Sequence, residues 1–320
     1  MIERIEPKPK IPPELRTAAL QSKIVPFIGA GVSQLGGYPG WDEFANAVLK
    51  SFVKEGKLRH DQLDQIRLLS SRAKISMALE LESEHGLPIK FAELLKPSDE
   101  HKKKTGDRVY QNLSRLATTF VTTNYDDWLD QTPPAVLQPA QTVSPSQPPN
   151  TPRRSFCKRN EITVENLGVP NAVFHIHGSV HERDSMILTT IDYLHRYSSH
   201  RIDGIADKEN PFLTFLEVLF KHNNVLFVGY GLNELEILEY VVQKGIQKRP
   251  PRGEAQKEEA PHHYVLQGFF SHEIELARSL DRYFRQFGIG LLPFSRDERD
   301  WDQMLPRLTQ PRRFSRVSGF

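Results

Sequence analysis

Short apolar runs alternate along this chain with longer amphipathic stretches, and each run has about the length of a strand. Ile24–Ile28 is the first, five residues without a charge, which read as a strand buried on both faces. Similar runs stand at 119–122, 172–176 and 224–228, with two later ones at 263–266 and 289–292. Helical periodicity fills the gaps. A helix is expected from near Glu14, and from Trp41 to about Leu116 the pattern is helical, with Phe44, Val48, Leu49 and Phe52 on one stripe. Leu63, Ile66, Leu69, Leu79 and Leu81 belong to later helices of that region, and the three lysines at 102–104 read as a solvated loop interrupting it. Further helices are expected at 234–242 and 273–287. Strands alternating with helices predict an α/β fold, a Rossmann-like doubly wound parallel sheet. The expected layout is one domain over 1–320, with a core at 14–40 and 118–295 and a helical insertion at 41–117. A Pro-rich loop at 132–160 and a C-terminal helix and basic tail at 296–320 complete it.

Composition narrows the function classes. The 42 basic and 40 acidic residues nearly cancel, so no basic excess points to nucleic acid, and the arginines near the C-terminus read as a solvated tail. One cysteine, Cys157, leaves no disulfide framework and no cysteine zinc site within the chain. No apolar run approaches the roughly 18 residues of a membrane span, and the N-terminus lacks the apolar core of a signal peptide. A soluble, cytoplasmic protein is the expectation. Residues 1–13 read as an extended arm and a candidate contact between subunits.

Four expected strands end in residues suited to chemistry. Gly29-Ala30-Gly31-Val32-Ser33 follows the first, where glycines let a backbone approach a pyrophosphate and a helix N-terminus offers it donors. The usual third glycine of that fingerprint is absent, since Gln34 stands there. Thr122-Thr123-Asn124-Tyr125-Asp126 ends the second, where a simple helix cap is the competing reading for Asn124 and Asp126. His175-Ile176-His177-Gly178 ends the third. His175 reads as a hydrogen-bonded core histidine, whereas His177, at the ligand edge and titrating near neutrality, suits a base. A two-histidine metal site is the rival reading and lacks a third ligand at metal-site spacing. Gly229-Tyr230-Gly231 ends the fourth.

Together these motifs resemble the sirtuin family. Gly29 to Ser33 looks like its GAG-x-S loop, Thr123 to Asp126 its T-x-N-x-D, and His177-Gly178 its catalytic H-G. The four-cysteine zinc module of sirtuin deacylases is missing, and Gly37-Tyr38-Pro39-Gly40-Trp41 replaces their Pro-Asp-Phe-Arg stretch. That form is similar to the sirtuin-like NADase branch of bacterial antiphage defence. The resemblance implies NAD as substrate, no metal, and cleavage of the nicotinamide–ribose bond through an oxocarbenium-like state.

By the same resemblance, Asn124 and His177 are the catalytic pair, Asn124 holding the attacking water or a ribose hydroxyl and His177 accepting its proton. Gly29, Ala30, Gly31 and Ser33 contact the pyrophosphate. Asp126 orients Asn124 or reaches the nicotinamide ribose, and Gly229 and Gly231 face the adenosine half. The branch implies a homo-oligomer and a separate sensor such as a HerA-type ATPase or an Argonaute-like protein, with no direct nucleic-acid or membrane binding. Three alternatives stay open: an NAD-dependent protein deacylase with a degenerate zinc module, an ADP-ribosyltransferase, and a non-catalytic NAD- or ADP-ribose-binding regulator.

Overall fold

The structure, a computed structural model, describes residues 2–97, 100–131, 153–197, 210–231 and 261–296. The expected helix at 234–242, most of the Pro-rich stretch and the tail beyond Arg296 lie outside the described residues.

The chain starts with helix α1 (Pro13–Leu20) and strand β1 (Ile24–Ile28), then α2 (Ala30–Leu35). Helices α3 (Trp41–Lys54), α4 (His60–Gln65), α5 (Ser71–His85), α6 (Phe91–Leu94) and α7 (Glu100–Ser114) follow before β2 (Phe120–Thr122). Next come α8 (Trp128–Gln131), β3 (Arg154–Phe156), α9 (Val164–Leu167), β4 (Ala172–His175) and α10 (Thr190–Tyr197). Helix α11 (Pro211–His222) leads into β5 (Asn224–Val228), and β6 (His263–Phe269), α12 (Ile274–Arg285) and β7 (Ile289–Ser295) finish the fold. The seven strands form one sheet in the order β3-β4-β2-β1-β5-β6-β7, every pair parallel. The fold is the Rossmann-like α/β class.

Two expectations are corrected. The lysines at 102–104 lie inside α7, where a helix tolerates a solvated charged face opposite the buried Val109, Tyr110 and Leu113. The Pro-rich stretch contains an edge strand, β3, which pairs with β4. Only Phe156 of its three residues is buried, so it carries no apolar run to reveal it.

Alternation along β1 feeds two cores. Val25 and Phe27 face α11 and α12, meeting Phe215, Leu219 and Phe284, while Ile24 and Ile28 face α1 and α7, meeting Leu15, Val109 and Leu113. Proline is unusual in a central strand because it cannot donate to the ladder. Here Ile28 accepts from the β2 side, from Thr123 N–H, while Gly29 donates to the β5 side, to Val228 O. Pro26, in phase with Ile28, therefore turns its missing N–H towards β2, whose ladder with β1 starts one residue later at Phe27–Val121. A third core, around Phe44, Val48, Ile75, Phe91 and Tyr125, joins the helices between β1 and β2 to the sheet's C-terminal edge.

The arm before α1 lies against its own sheet. Glu6 O accepts from Ser295 N–H at 2.8 Å, Ile2 O accepts from Arg278 Nε–H at 2.7 Å, and Ile2 and Ile5 pack on the core. It covers the edge strand β7, which would otherwise present unpaired backbone.

Candidate functional site

From β1 the chain moves to β2, out to the edge strand β3 and back to β4 between them, then crosses to β5 on the other side of β1. Connections that leave a central strand in opposite directions open a crevice at the carboxyl ends of the strands. That crevice is a cavity of about 990 Å³. Ala30, Gly31, Ser33, Asn124, Asp126, His177, Gly229 and Gly231 line it. Gly29 is not part of its wall.

The two glycine turns pack on each other. Gly229 has φ +65°, and a Cβ there would stand 2.5 Å from Val32 N; one on Gly31 would stand 2.8 Å from Gly229 O. The close approach is cemented by Gly31 N–H donating to Gly229 O at 2.8 Å and Gly29 N–H to Val228 O at 2.9 Å. These two amides are thus committed to the sheet. Ala30, at the first helical position, carries an N–H of the kind a helix leaves unpaired.

Asn124 sits in the turn after β2. Its backbone N–H donates to Thr122 Oγ1 at 3.0 Å, and its Nδ2 donates to Gly29 O at 3.1 Å and Ser33 Oγ at 2.7 Å. Ser33 in turn donates to Asp126 Oδ2 at 2.6 Å and meets Tyr110 Oη at 3.0 Å. A hydroxyl has one proton and two lone pairs, so Ser33 is saturated when Asn124 and Tyr110 both donate to it. Asp126 is equally occupied, because Oδ1 accepts Trp128 N–H at 3.2 Å. Burial pushes the Asp126 carboxyl above its ordinary range, against the lowering effect of the Ser33 hydrogen bond. Burial likewise raises Tyr110 well above 10, so its hydroxyl keeps its proton. Asn124 Oδ1 is buried and has no hydrogen-bond partner, and neither do Thr123 Oγ1 and Gln267 Oε1.

His177 is carried to the cavity because the end of β4 stays paired with β2, Ile176 N–H donating to Thr122 O at 2.9 Å. Gly178, at φ +90°, then turns the chain where a Cβ would stand 2.3 Å from Ser185 O. The His177 ring lies between two tyrosines of α10, Nε2 at 2.7 Å from Tyr197 Oη and Nδ1 at 3.3 Å from Tyr193 Oη. Burial, then the charges of Arg196 and Arg72, lower its pKa to about 3. It does not titrate near neutrality, which corrects that expectation. His175 is fully buried below the cavity, as expected for a core histidine. Among the described residues no group of three or more His, Cys, Asp or Glu could hold a metal ion.

Several wall residues were missed. Gln267 directly follows the expected end of β6, so strand-end logic could have found it. Arg72, whose guanidinium lies 3.7 Å from the Tyr193 ring centre, and Tyr193 itself come from helices that carry no motif. Trp41 and Tyr125 meet on the same wall, ring centres 5.9 Å apart and planes tilted by 31°.

The family model of the SIR2-like domain matches residues 118–289, more than half of the 320. The chain belongs to the SIR2-like family. The matched span holds Asn124, Asp126, His177 and both glycines of the β5 turn, and starts after the first glycine loop. No curated protein matches the chain. SIR2-like domains bind NAD, which places this chain among NAD-using proteins. Among the described residues, no helix is long and apolar enough to cross a membrane.

Proposed function

We propose that this SIR2-like chain is an NAD hydrolase that cleaves the nicotinamide–ribose bond, giving nicotinamide and ADP-ribose. The observation that carries the reading is that Asn124, a wall residue of the switch-point cavity, keeps one buried side-chain acceptor, Oδ1, without a partner. Leaving such a group unmet costs about 1–3 kcal/mol, so a donor belongs opposite it. A water or a ribose hydroxyl supplies one. The bare backbone of Gly31 and Gly229 and the Ala30 N–H suit a pyrophosphate. Gln267 Oε1, near the β5 turn, suits a donor from the adenosine half.

The residues divide the work. Asp126 acts through Ser33, fixing which way the Asn124 amide points. Tyr197, off the cavity wall, is the closer partner of His177 and accepts from Nε2–H, which leaves the Nδ1 lone pair towards the cavity. The longer Tyr193 contact on that side is the one a substrate hydroxyl or water displaces. As water bonds to the ribose carbon, its oxygen becomes strongly acidic, and a neutral imidazole of low basicity suffices to take the proton and pass it to solvent. The departing nicotinamide nitrogen keeps the electron pair of the broken bond, which cancels its ring charge. With one cysteine, the chain cannot assemble the four-cysteine module of a sirtuin deacylase. In the cell we assign it to antiphage defence in bacteria, consuming NAD as a homo-oligomer under a separate sensor such as a HerA-type ATPase.

Purified protein incubated with NAD tests the chemistry. Free nicotinamide and ADP-ribose in equal amounts are expected. ADP-ribose on protein would convert the reading to a transferase, and intact NAD would remove it. Loss of cellular NAD on phage infection, with and without the gene, tests the biological role.

A further inference from the structure

His175 is not on the cavity wall and meets the partly buried carboxylate of Asp130, and NAD cleavage as proposed leaves it unused. Its Nδ1 lies 3.1 Å from the backbone carbonyl of Asn124, and its Nε2 lies 2.9 Å from Asp130 Oδ2 on α8. A carbonyl only accepts, so Nδ1 must carry a proton. Nε2 faces a carboxylate, which accepts as well, so a ring that satisfies both contacts carries a second proton, shared along the Nε2–Oδ2 hydrogen bond.

The Asn124 carbonyl completes a set. The backbone N–H of Asn124 is held by Thr122, its side-chain amide by Gly29 and Ser33, and its carbonyl by His175. Every polar atom of the residue is tied down apart from Oδ1. Preorganisation of this kind is how a site keeps a group aimed before substrate arrives. If the shared proton leaves, a neutral ring has one N–H for two acceptors. One contact must then set a lone pair against a lone pair, and the Asn124 turn loses its anchor or is pushed from it.

We propose that His175 and Asp130 form a positioning pair whose single shared proton holds the Asn124 turn, so that NAD cleavage declines on the alkaline side as that proton is lost. The inference rests on the reading that Asn124 acts in NAD cleavage. The charged groups around the pair are Asp126, whose charge favours a protonated His175, and Arg153, a buried cation beside Asp130. Burial alone would lower His175; Asp130, the Asn124 carbonyl and Asp126 outweigh it and raise the ring above its ordinary value.

Asp130→Asn separates this from a packing role. The side-chain amide introduced by that change can donate to Nε2 while Nδ1–H still donates to the Asn124 carbonyl, with no extra proton required. The alkaline limb of kcat, normalised to each variant's own maximum, should move up by a pH unit or more. His175→Leu should lower kcat about 10- to 100-fold with KM within about twofold. His175→Asn, whose amide can still reach towards the carbonyl, should recover part of that loss and show no alkaline limb. A wild-type alkaline limb retained in Asp130→Asn overturns the proposal. Nitrogen NMR of the labelled chain provides a readout independent of activity, because the Asn124 side-chain amide signal should shift along the His175 titration curve. An Asn124 signal indifferent to that titration also overturns it. Should the wild type leave NAD intact, the hydrolase reading fails alone, and the NMR titration still decides the pair.

Discussion

His175 and His177 stand two residues apart in one motif, yet their surroundings drive them in opposite directions. His175 is enclosed with a carboxylate and a carbonyl, both favouring its protonated form. His177 is equally buried but lies between tyrosine hydroxyls with Arg196 and Arg72 behind it, and it stays neutral down to about pH 3. Burial penalises the charge on both rings, and the sign of the nearest fixed charge decides the outcome. On the proposed reading, the deep histidine serves geometry and the cavity histidine serves as a neutral acceptor. On that reading the chemistry rests first on where Asn124 points and only second on the strength of a base.

Substitutions that remove each role should rank accordingly. Asn124→Ala takes away the unpaired acceptor that the proposed reaction uses and should lower kcat for NAD cleavage about 10³-fold, the scale of losing a preorganised polar group. His177→Ala should cost about 10²-fold, the low end for a proton acceptor. Steady-state assays of nicotinamide release measure both, with thermal unfolding to confirm that each variant folds. A larger loss for His177→Ala than for Asn124→Ala would invert the comparison.

Stability against pH offers a second contrast, with opposite signs. The unfolded chain protonates His177 near 6.5, whereas the folded chain resists until about 3. Below 6.5 the unfolded state binds the extra proton, so this residue lowers stability by about 1.4 kcal/mol per pH unit as pH falls towards 3. His175 has a raised folded value, so its contribution is full below 6.5 and is lost as pH rises through that value. Urea unfolding across pH should show the acid slope reduced in His177→Gln and the alkaline slope reduced in Asp130→Asn. If His177→Gln keeps the wild-type acid slope, His177 is not held neutral in the fold.

How much of this was legible in the sequence follows from the kind of interaction involved. The strands at Ile24–Ile28 and Asn224–Val228 have the bounds expected, because a fully buried parallel strand is an uninterrupted apolar run. Strand-end logic also brought Asn124, His177 and the two glycine turns to one edge, since parallel strands end on the same side. What stayed hidden depends on contacts across the chain. Ser33 reads as a phosphate ligand from its loop, but its hydroxyl is spent on Asp126, 93 residues away. The pairing of His175 with Asp130 spans 45 residues and has no local signature. His177 reads as an ordinary titrating base because nothing near it in sequence announces Arg72 or Tyr193. Edge strand β3, with one buried residue in three, was invisible for the opposite reason, being almost wholly polar.

The finest distinction lies within the tyrosine pair around His177. If Tyr197 accepts from Nε2–H, it fixes the tautomer that leaves Nδ1 basic towards the cavity. Tyr197→Phe removes that acceptor and releases the ring to either tautomer, at a cost near 1 kcal/mol for one hydrogen bond. kcat should drop about three- to tenfold while KM stays within about twofold. Tyr193 shares the other nitrogen at 3.3 Å, on the side where substrate must bind. Its hydroxyl competes with the substrate for Nδ1, so Tyr193→Phe should leave kcat unchanged or raise it. Each variant loses one oxygen atom, at positions one helical turn apart, so packing losses are closely matched and the contrast reports on the ring. Equal losses in both would mean that the tyrosines only pack His177 in place. A larger loss in Tyr193→Phe would assign the basic nitrogen to Nε2 and reverse the tautomer.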